Sequence, residues 1–371
     1  MAITVLHAWI ASILLFVAVE SPAAAELGDR DFDAWVADAE RQAQQCDDPS
    51  HTSTIQVNLA SALSQQPGHE PQARRLAQAV ADTLAQNPPD QETADELRIR
   101  LAYVFARLGD TDAAKQAAKA IVNPNEQMWA LTEIAWGATE RLDVPATDQA
   151  LAEIRTAANA LDPLERDYAL AELPQLLLFT KDHDAAARIA REIEDPEARA
   201  WAFLFLAELA ADLGQIEAAE KDLQQAQSLL ITQPESLKWN ACSIIVGLSK
   251  IDRPDAARRM LVFLEDARDR LIAFTSLASL HHRRGEAELA NDYFQKARTA
   301  LEEVKQDPES TAVDKSYAFA DYAVALQQTQ RYEQLATELE PIESPLDRGI
   351  VAACIATELA WQQFLQARRA N

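Results

Sequence analysis

Two stretches of the chain carry the same apolar pattern, 71 residues apart. In each stretch, apolar side chains recur at alternating intervals of three and four residues, which places them on one face of an α-helix. The two sets are Ile216, Ala219, Leu223, Ala226 and Leu230, and Ala287, Ala290, Phe294, Ala297 and Leu301. An offset of 71 residues is close to two units of about 35 residues, a length typical of helical hairpins. Because one hairpin cannot bury its apolar face alone, we expect tandem hairpins that stack on their neighbours.

The turns between the predicted helices repeat as well. A glycine stands before several of the second helices, and an alanine follows it after five residues. The pairs are Gly68 and Ala73, Gly109 and Ala114, Gly214 and Ala219, and Gly285 and Ala290. Glycine can take the left-handed conformation that ends one helix, and the alanine lets the next helix pack closely. Equivalent turns without glycine are predicted near Val144, Asp182, Asp252 and Gln330, so the repeat interval averages about 37 residues.

An aromatic column begins the other helix of each pair. Five residues after a proline stands an aromatic side chain, and the four pairs are Pro124 and Trp129, Pro163 and Tyr168, Pro196 and Trp201, and Pro234 and Trp239. Proline favours the first turn of a helix, and the Asp or Ser before it can serve as the N-cap. We interpret the aromatic residues as wedges that bury large areas between successive hairpins. The other interpretation is an exposed row that binds aromatic groups of a ligand.

These columns resemble the tetratricopeptide-repeat family and its helical-hairpin relatives. The family has a small residue in the first helix, glycine at the turn and two alanines in the second helix. That pattern is matched by Ala207, Gly214, Ala219 and Ala226, and again by Ala278, Gly285, Ala290 and Ala297. Other units depart from it, because the glycine is missing from several turns and Pro174 interrupts a first helix. The resemblance covers most of residues 50–365. It implies a right-handed superhelix whose concave face, lined by first helices, binds peptides or protein segments.

The composition agrees with a helical fold. The chain has 8 glycines and 6% aromatic residues, whereas average usage would give roughly 26 glycines in a chain of this length. Sandwiches, barrels and glycine-rich phosphate-binding folds are therefore disfavoured. We expect an all-α fold, an α-solenoid of about eight helical hairpins that forms a single domain over residues 51–371. A capping helix within residues 26–50 would precede it, with Phe32 and Trp35 available to cover the first hairpin.

The first 25 residues have the pattern of a secretory signal peptide. Residues 8–19 form a twelve-residue apolar stretch, and the small residues Ala23, Ala24 and Ala25 follow before Glu26. Such a stretch is too short to cross a bilayer of about 30 Å. We therefore expect export to the periplasm or the medium, with cleavage between Ala25 and Glu26 and no integral membrane segment in the mature chain. No Lys or Arg precedes the apolar stretch, which departs from the signal-peptide pattern. An uncleaved N-terminal anchor is the alternative, because the apolar run from Ala2 reaches about eighteen residues if Thr4, His7 and Ser12 are tolerated.

The charge balance limits the possible partners. The chain carries 34 Lys and Arg against 59 Asp and Glu, a formal net charge of −25. Because binding to phosphates requires a basic face, we expect no nucleic acid partner. Residues 250–284 are the exception, with eight positive and five negative side chains. This segment could dock an acidic partner, or it could neutralise the acidic N-terminal third.

An arginine recurs near the start of four first helices, at Arg166, Arg199, Arg270 and Arg348. A cation in the first turn opposes the helix dipole, so its recurrence needs a cause. One interpretation is an ion pair between repeats. The other is a ladder of guanidinium groups along the groove, which would bind carboxylates of a ligand bidentately. These four arginines are the candidate binding residues.

Signals of catalysis or metal binding are weak. No metalloprotease, nucleophile-elbow, P-loop or dinucleotide fingerprint is present. We interpret His281 and His282 as the end of a helix and His183 as an exposed turn residue. Cys46, Cys242 and Cys354 have no metal-ligand spacing and do not indicate a disulfide framework. We therefore expect no metal, cofactor or disulfide.

The sequence thus predicts an exported, non-enzymatic scaffold that presents a concave helical groove to a peptide or protein partner. One alternative is an enzyme built on an α/α toroid, such as a carbohydrate-active enzyme, with catalytic carboxylates in its loops. Another is a purely structural envelope protein. A closed ring of helices around a deep pocket with two buried carboxylates would favour the enzyme, whereas an open superhelix without a perturbed titratable cluster would favour the scaffold.

Overall fold

The computed structural model describes residue 27, residues 30–180 and residues 183–369. The predicted signal peptide and its cleavage site between Ala25 and Glu26 lie outside these residues. The helices, numbered in chain order, are α1 (Phe32–Ala43), α2 (Pro49–Ser64), α3 (Glu70–Gln86), α4 (Gln91–Arg107), α5 (Thr111–Lys119), α6 (Pro124–Glu140), α7 (Val144–Ala158), α8 (Pro163–Leu170), α9 (Leu173–Thr180), α10 (His183–Glu192), α11 (Pro196–Asp212), α12 (Ile216–Leu230), α13 (Pro234–Trp239), α14 (Ala241–Lys250), α15 (Pro254–Met260), α16 (Ala267–Arg283), α17 (Ala287–Gln306), α18 (Ala312–Gln328), α19 (Tyr332–Leu339) and α20 (Pro345–Arg369). A 3₁₀ turn, Leu261–Phe263, follows α15.

Successive helices pair as hairpins. Extensive packing joins α2 with α3, α4 with α5, α6 with α7, α9 with α10, α11 with α12, α14 with α15, α16 with α17, and α18 with α19. First helices also pack on the first helices of the next hairpin, as α4 does on α6 and α16 on α18. The described part of the chain contains no strand. The predicted class, an all-α solenoid of tetratricopeptide-like hairpins, is confirmed.

The chain forms two compact units. The central unit comprises residues 48–236, and the terminal unit comprises the described residues up to 47 together with those from 237 onward. In the terminal unit, α1 packs along α20, the last helix, and Phe32 and Trp35 are buried. The sequence suggested the first hairpin as the partner of α1, but this extensive contact is with the other end of the chain. The single domain over residues 51–371 stays a prediction.

The predicted turn and cap chemistry is present. Gly214 and Gly285 have φ of +77° and +73°, the left-handed region that other residues rarely adopt. Two of the turns predicted without glycine use Asp252 and Gln330 in the same region, with φ of +60° and +55°. Asp195 precedes the proline of α11 and accepts backbone hydrogen bonds from Glu197 and Ala198 at 2.9 and 2.8 Å. These local signals explain why the sequence locates the helix ends well.

The aromatic column behaves as predicted in part. Tyr168 and Trp201 pack edge to face with ring centroids 5.3 Å apart, which is the expected wedge between hairpins. The wedge interpretation is wrong for Trp239, whose exposure is 65%. The first helix of this unit breaks at Asn240 into α13, of six residues, and α14. Trp239 therefore does not have the position that an unbroken first helix gives to the aromatic residue of the column.

None of the described helices combines the length and the apolar character needed to cross a membrane.

Candidate functional site

Two of the four candidate arginines form ion pairs. The Nε and Nη2 atoms of Arg166 each lie 3.1 Å from a carboxylate oxygen of Asp167, and its Nη2 lies 3.7 Å from Glu194 in the turn before the next hairpin. Arg270 binds the Glu303 carboxylate on α17 and the backbone carbonyl of Glu265. Arg166 therefore fits the interpretation of an ion pair between repeats, whereas the ion pair of Arg270 lies within one hairpin.

The other two arginines differ from this pattern. Arg348 donates to the backbone carbonyls of Ile342 at 2.6 Å and Leu339 at 3.2 Å, and so satisfies the C-terminal end of α19. Arg199 has a buried Nε without a hydrogen-bond partner among the described residues. Arg166 and Arg199 belong to the central unit and Arg270 and Arg348 to the terminal unit. Of the four, Arg199 retains the most free hydrogen-bonding capacity.

The first helices of the central unit carry a stripe of polar side chains, which we call the polar inner layer. Its members recur at seven-residue intervals, close to two helical turns, which places members of one continuous helix on one face. They are Asn58 on α2 and Gln65 at its C-cap, Arg100 and Arg107 on α4, Glu126, Glu133 and Glu140 on α6, Glu165 on α8 and Glu172 in the turn between α8 and α9. Tyr103, which lies between the two arginines on α4, completes the layer.

One end of the layer is a buried network that links three hairpins. Gln65 Nε2 donates to the Tyr103 hydroxyl at 2.9 Å, and that hydroxyl donates to Glu140 Oε2 at 2.6 Å. Arg107 Nε lies 3.2 Å from the same carboxylate oxygen. Burial raises the pKa of Glu140, while the charge of Arg107 and the bond from Tyr103 act against this rise. Burial and the neighbouring Glu140 charge raise the pKa of Tyr103 well above its ordinary value, so Tyr103 remains a donor.

The middle of the layer holds two half-buried carboxyl groups. Burial, together with the charge of Glu172, raises the pKa of Glu133 to about 8. Burial raises the pKa of Glu172 to about 7. Arg100 lowers the pKa of Glu133 only in part, because its guanidinium also donates to Asn58 and, at 3.1 Å, to Glu96. Near neutral pH this pair therefore holds protons that an incoming cation could displace.

The other end of the layer also contains paired carboxyl groups. Burial and the charge of Asp95 raise the pKa of Glu126. Asp95 is buried and receives bonds from Arg98 Nη1 at 2.6 Å and Gln91 Nε2 at 2.7 Å. Sequence reasoning did not identify the layer, since paired carboxylates are common in so acidic a chain. The regular spacing of Glu126, Glu133 and Glu140 is the signal that could have found it.

The position of one histidine, His183, differs from the prediction. His183 is not an exposed turn residue: it begins α10, and its Nε2 contacts the buried Asp222 on α12. His281 and His282 lie in the last turn of α16, as expected. The three cysteines form no disulfide with one another, and within the described ranges no group of three His, Cys, Asp or Glu residues could hold a metal ion.

A separate cavity of about 470 Å³ lies among α7, α9 and α10 in the central unit. Leu151, Leu177 and Ile189 line it, with Arg155 and Arg188 also contributing. None of the residues that line the cavity belongs to the polar inner layer.

Comparisons with known proteins do not identify a family. No family model matches the chain, and no curated protein matches it. Among solved structures, the apo form of RapI is similar, with 14% sequence identity and a TM-score of 0.36, over 77% of this chain and 86% of RapI. A likeness at this level carries no argument about function.

Proposed function

We propose that the protein is an exported, non-enzymatic scaffold that binds a peptide or protein partner on the polar inner layer of the central unit. The layer is the observation that carries this proposal. Other first helices also bury polar groups, such as Glu208 and Asp212 on α11, but this stripe places charged, amide and phenol groups on four successive hairpins. Such a stripe contributes less to packing than apolar residues would. Its amide and phenol groups are buried, so the contacts to an extended ligand would come from its half-buried charged members, Arg100, Glu126, Glu133 and Glu172.

The negative charge that the carboxyl groups of the polar inner layer can carry favours a partner with basic side chains. Three of the four candidate arginines are engaged within the protein, so the arginine ladder is a weaker basis for ligand binding than the sequence suggested. Glu133 and Glu172 instead remain half-buried beside each other. A lysine or arginine of the partner would allow both carboxyl groups to ionise, so binding would release protons.

Site-specific photo-crosslinking in the native cell tests the proposal. A photoreactive amino acid at Glu133 should give defined adducts with a partner, and the same group at Gln225, exposed on second helix α12, is the control. Adducts from both positions, or from Gln225 alone, would contradict binding on the inner layer.

Export is tested on the same protein, because N-terminal sequencing should give Glu26 as the first residue. Retention of residues 1–25 would instead favour the membrane anchor.

A hydrolytic enzyme is the second candidate, and the Glu133 and Glu172 pair is the observation that favours it. Glycoside hydrolysis uses two carboxyl groups, one of which must stay protonated near neutral pH. A scaffold without catalytic activity would not need carboxyl groups with raised pKa values, so this pair also favours the enzyme. Release of reducing sugar from a panel of oligosaccharides, lost in both Glu133→Gln and Glu172→Gln, would favour the enzyme over the scaffold.

A further inference from the structure

Four aromatic side chains and two glutamates occupy equivalent positions on three successive first helices of the central unit. The first helix α6 packs against α8 and α9, and these two pack against α11. One column holds the aromatic residue that stands five residues after each proline, and the other lies four residues later, on the same helical face. Between α8 and α9, Ala171 keeps helical φ and ψ of −65° and −22°, so this face continues through the interruption. The first column is Trp129, Tyr168 and Trp201, and the second is Glu133, Glu172 and Phe205.

Contacts along and between the columns show that their members are neighbours. The ring centroids of Tyr168 and Trp201 lie 5.3 Å apart, and those of Trp201 and Phe205 lie 6.1 Å apart, both edge to face. The charge of Glu172 contributes to the raised pKa of Glu133, so these two carboxyl groups lie close to each other. The central unit therefore presents aromatic rings beside a pair of carboxyl groups on one surface.

The protein itself does not saturate this surface. All six side chains are half-buried, so each keeps part of its area accessible. Among the described residues, no hydrogen bond or ion pair is found for the carboxyl group of Glu133 or Glu172. Arg100 lowers the pKa of Glu133, but its guanidinium donates to Asn58 and Glu96. Within the same described ranges, no Lys or Arg side chain lies over the four aromatic rings.

An arginine side chain matches both columns. Its planar guanidinium stacks on aromatic faces, and its N–H groups donate to a carboxylate bidentately. It is also more weakly hydrated than an ammonium group, so it loses less hydration free energy on entering a half-buried site. A lysine offers a compact, strongly hydrated charge that cannot stack in the same way.

We propose that the two columns, here called the aromatic–carboxyl array, bind an arginine side chain of the partner. The guanidinium would stack on the aromatic rings and donate to the carboxyl groups of Glu133 and Glu172. This inference rests on the proposed function, because it identifies which basic side chain the central unit binds. It also assigns a binding role to Trp129, Trp201 and Phe205, which are not members of the polar inner layer.

Fluorescence anisotropy with three labelled peptides tests the proposal. The peptides share one sequence of Gly and Ser and differ at a single position, which is arginine, lysine or citrulline. Citrulline keeps the planar shape of the arginine side chain but carries no charge. We expect the arginine peptide to bind, the lysine peptide to bind at least about threefold more weakly, and the citrulline peptide to bind about tenfold or more weakly.

Substitutions in the array should weaken binding of the arginine peptide in a way that follows their chemistry. Phe205→Leu removes the aromatic face but keeps an apolar side chain and should weaken binding about threefold or more, whereas Phe205→Tyr keeps the face and should retain the affinity. Glu172→Gln removes a carboxylate and should weaken binding about tenfold. The matched controls are Phe274→Leu, at a half-buried position on α16, and Glu217→Gln, at an exposed position on α12, and both should leave the affinity unchanged. Circular dichroism melting of each variant separates a binding defect from unfolding.

Equal affinities for the arginine and lysine peptides would overturn the inference, and so would the absence of binding by the arginine peptide. An affinity that Phe205→Leu and Glu172→Gln leave unchanged, or that Phe274→Leu lowers as much as Phe205→Leu does, would also overturn it. The proposed function is judged separately by photo-crosslinking at Glu133. Adducts there, combined with any of these results, would leave the polar inner layer as the binding surface and show that it recognises a group other than arginine.

Discussion

The Tyr103 hydroxyl donates a 2.6 Å hydrogen bond to Glu140, which lies 37 residues later on the neighbouring first helix. Gln65 donates to the same hydroxyl from the first helix before it. One phenol thus connects α2, α4 and α6 through polar atoms, beside the bond from Arg100 to Asn58 that also joins α4 to α2. Loss of that phenol oxygen affects the register of three hairpins at once.

Tyr103→Phe should therefore lower the free energy of unfolding by about 1–3 kcal/mol, because it leaves the Gln65 amide without its acceptor and leaves buried Glu140 with Arg107 alone. Chemical denaturation measures the change. Tyr332→Phe is the control, since Tyr332 is half-buried and no hydrogen bond is found for its hydroxyl among the described residues. Equal losses in both variants would show that the network contributes nothing specific.

The free energy of unfolding should depend on pH because of Glu133 and Glu172. Their pKa values rise in the folded protein to about 8 and about 7, so the folded state binds more protons than the unfolded state above the ordinary glutamate pKa. The free energy of unfolding should then fall as the pH rises from about 4.5 towards 8. Urea titrations at fixed pH values measure this slope.

Glu133→Gln should flatten that slope, because the amide cannot ionise. Glu217→Gln, at an exposed position on α12, makes the same change in net charge and should keep the slope of the unmodified protein. A Glu133→Gln slope identical to that of Glu217→Gln would contradict the burial of the Glu133 carboxyl. If a basic partner binds here, the same variant should also reduce the number of protons released on binding, because only Glu172 then remains to ionise.

The fold could be read from the sequence because its signals are local. The left-handed residues Gly214, Gly285 and Asp252 each close a turn by their own backbone conformation, and neighbouring residues largely decide such conformations. The polar inner layer could not be read in this way. The pKa of Glu133 depends on groups from other hairpins, Glu172 and Arg100, and on burial that only the stacked repeats create.

The aromatic column shows where a sequence rule fails. Trp201 and Trp239 stand at equivalent positions, five residues after a proline. The rule assumes an unbroken first helix, and the break at Asn240 removes that condition. No proline or glycine marks the break, so the exposure of Trp239 could not be predicted from the repeat pattern.

Substitution of Trp201 and of Trp239 by alanine should change the free energy of unfolding by different amounts. Trp201 packs against Tyr168 at 5.3 Å and Phe205 at 6.1 Å between ring centroids, so Trp201→Ala should lower the free energy of unfolding by about 2–4 kcal/mol. Trp239→Ala should change it by less than about 0.5 kcal/mol, as exposed substitutions usually do. Thermal and chemical denaturation give both values. A large loss in Trp239→Ala would mean that its ring is covered in solution.

The loss of stability on substituting each candidate arginine by alanine should follow the contacts that its side chain makes. Arg348→Ala removes charged hydrogen bonds to two backbone carbonyls and should cost about 1–3 kcal/mol of stability. Arg270→Ala removes a solvent-accessible ion pair and should cost about 0–1 kcal/mol. Arg199→Ala should cost no more than Arg270→Ala, since it removes no ion pair found in the described residues. Denaturation of the three variants tests this order, and an Arg199→Ala protein that unfolds most readily would refute it.

His183 and Asp222 link α10 to α12 across two hairpins of the central unit. Asp222 is buried, and burial raises its pKa while the contact with His183 lowers it. His183→Ala leaves that carboxyl without its partner and should lower the free energy of unfolding by about 1–3 kcal/mol. The double variant His183→Ala, Asp222→Ala should lose less than the sum of the two single variants, because the buried carboxyl is then also gone. Strict additivity in the denaturation data would show that the two side chains are not coupled, and that α10 and α12 are held together by their apolar faces alone.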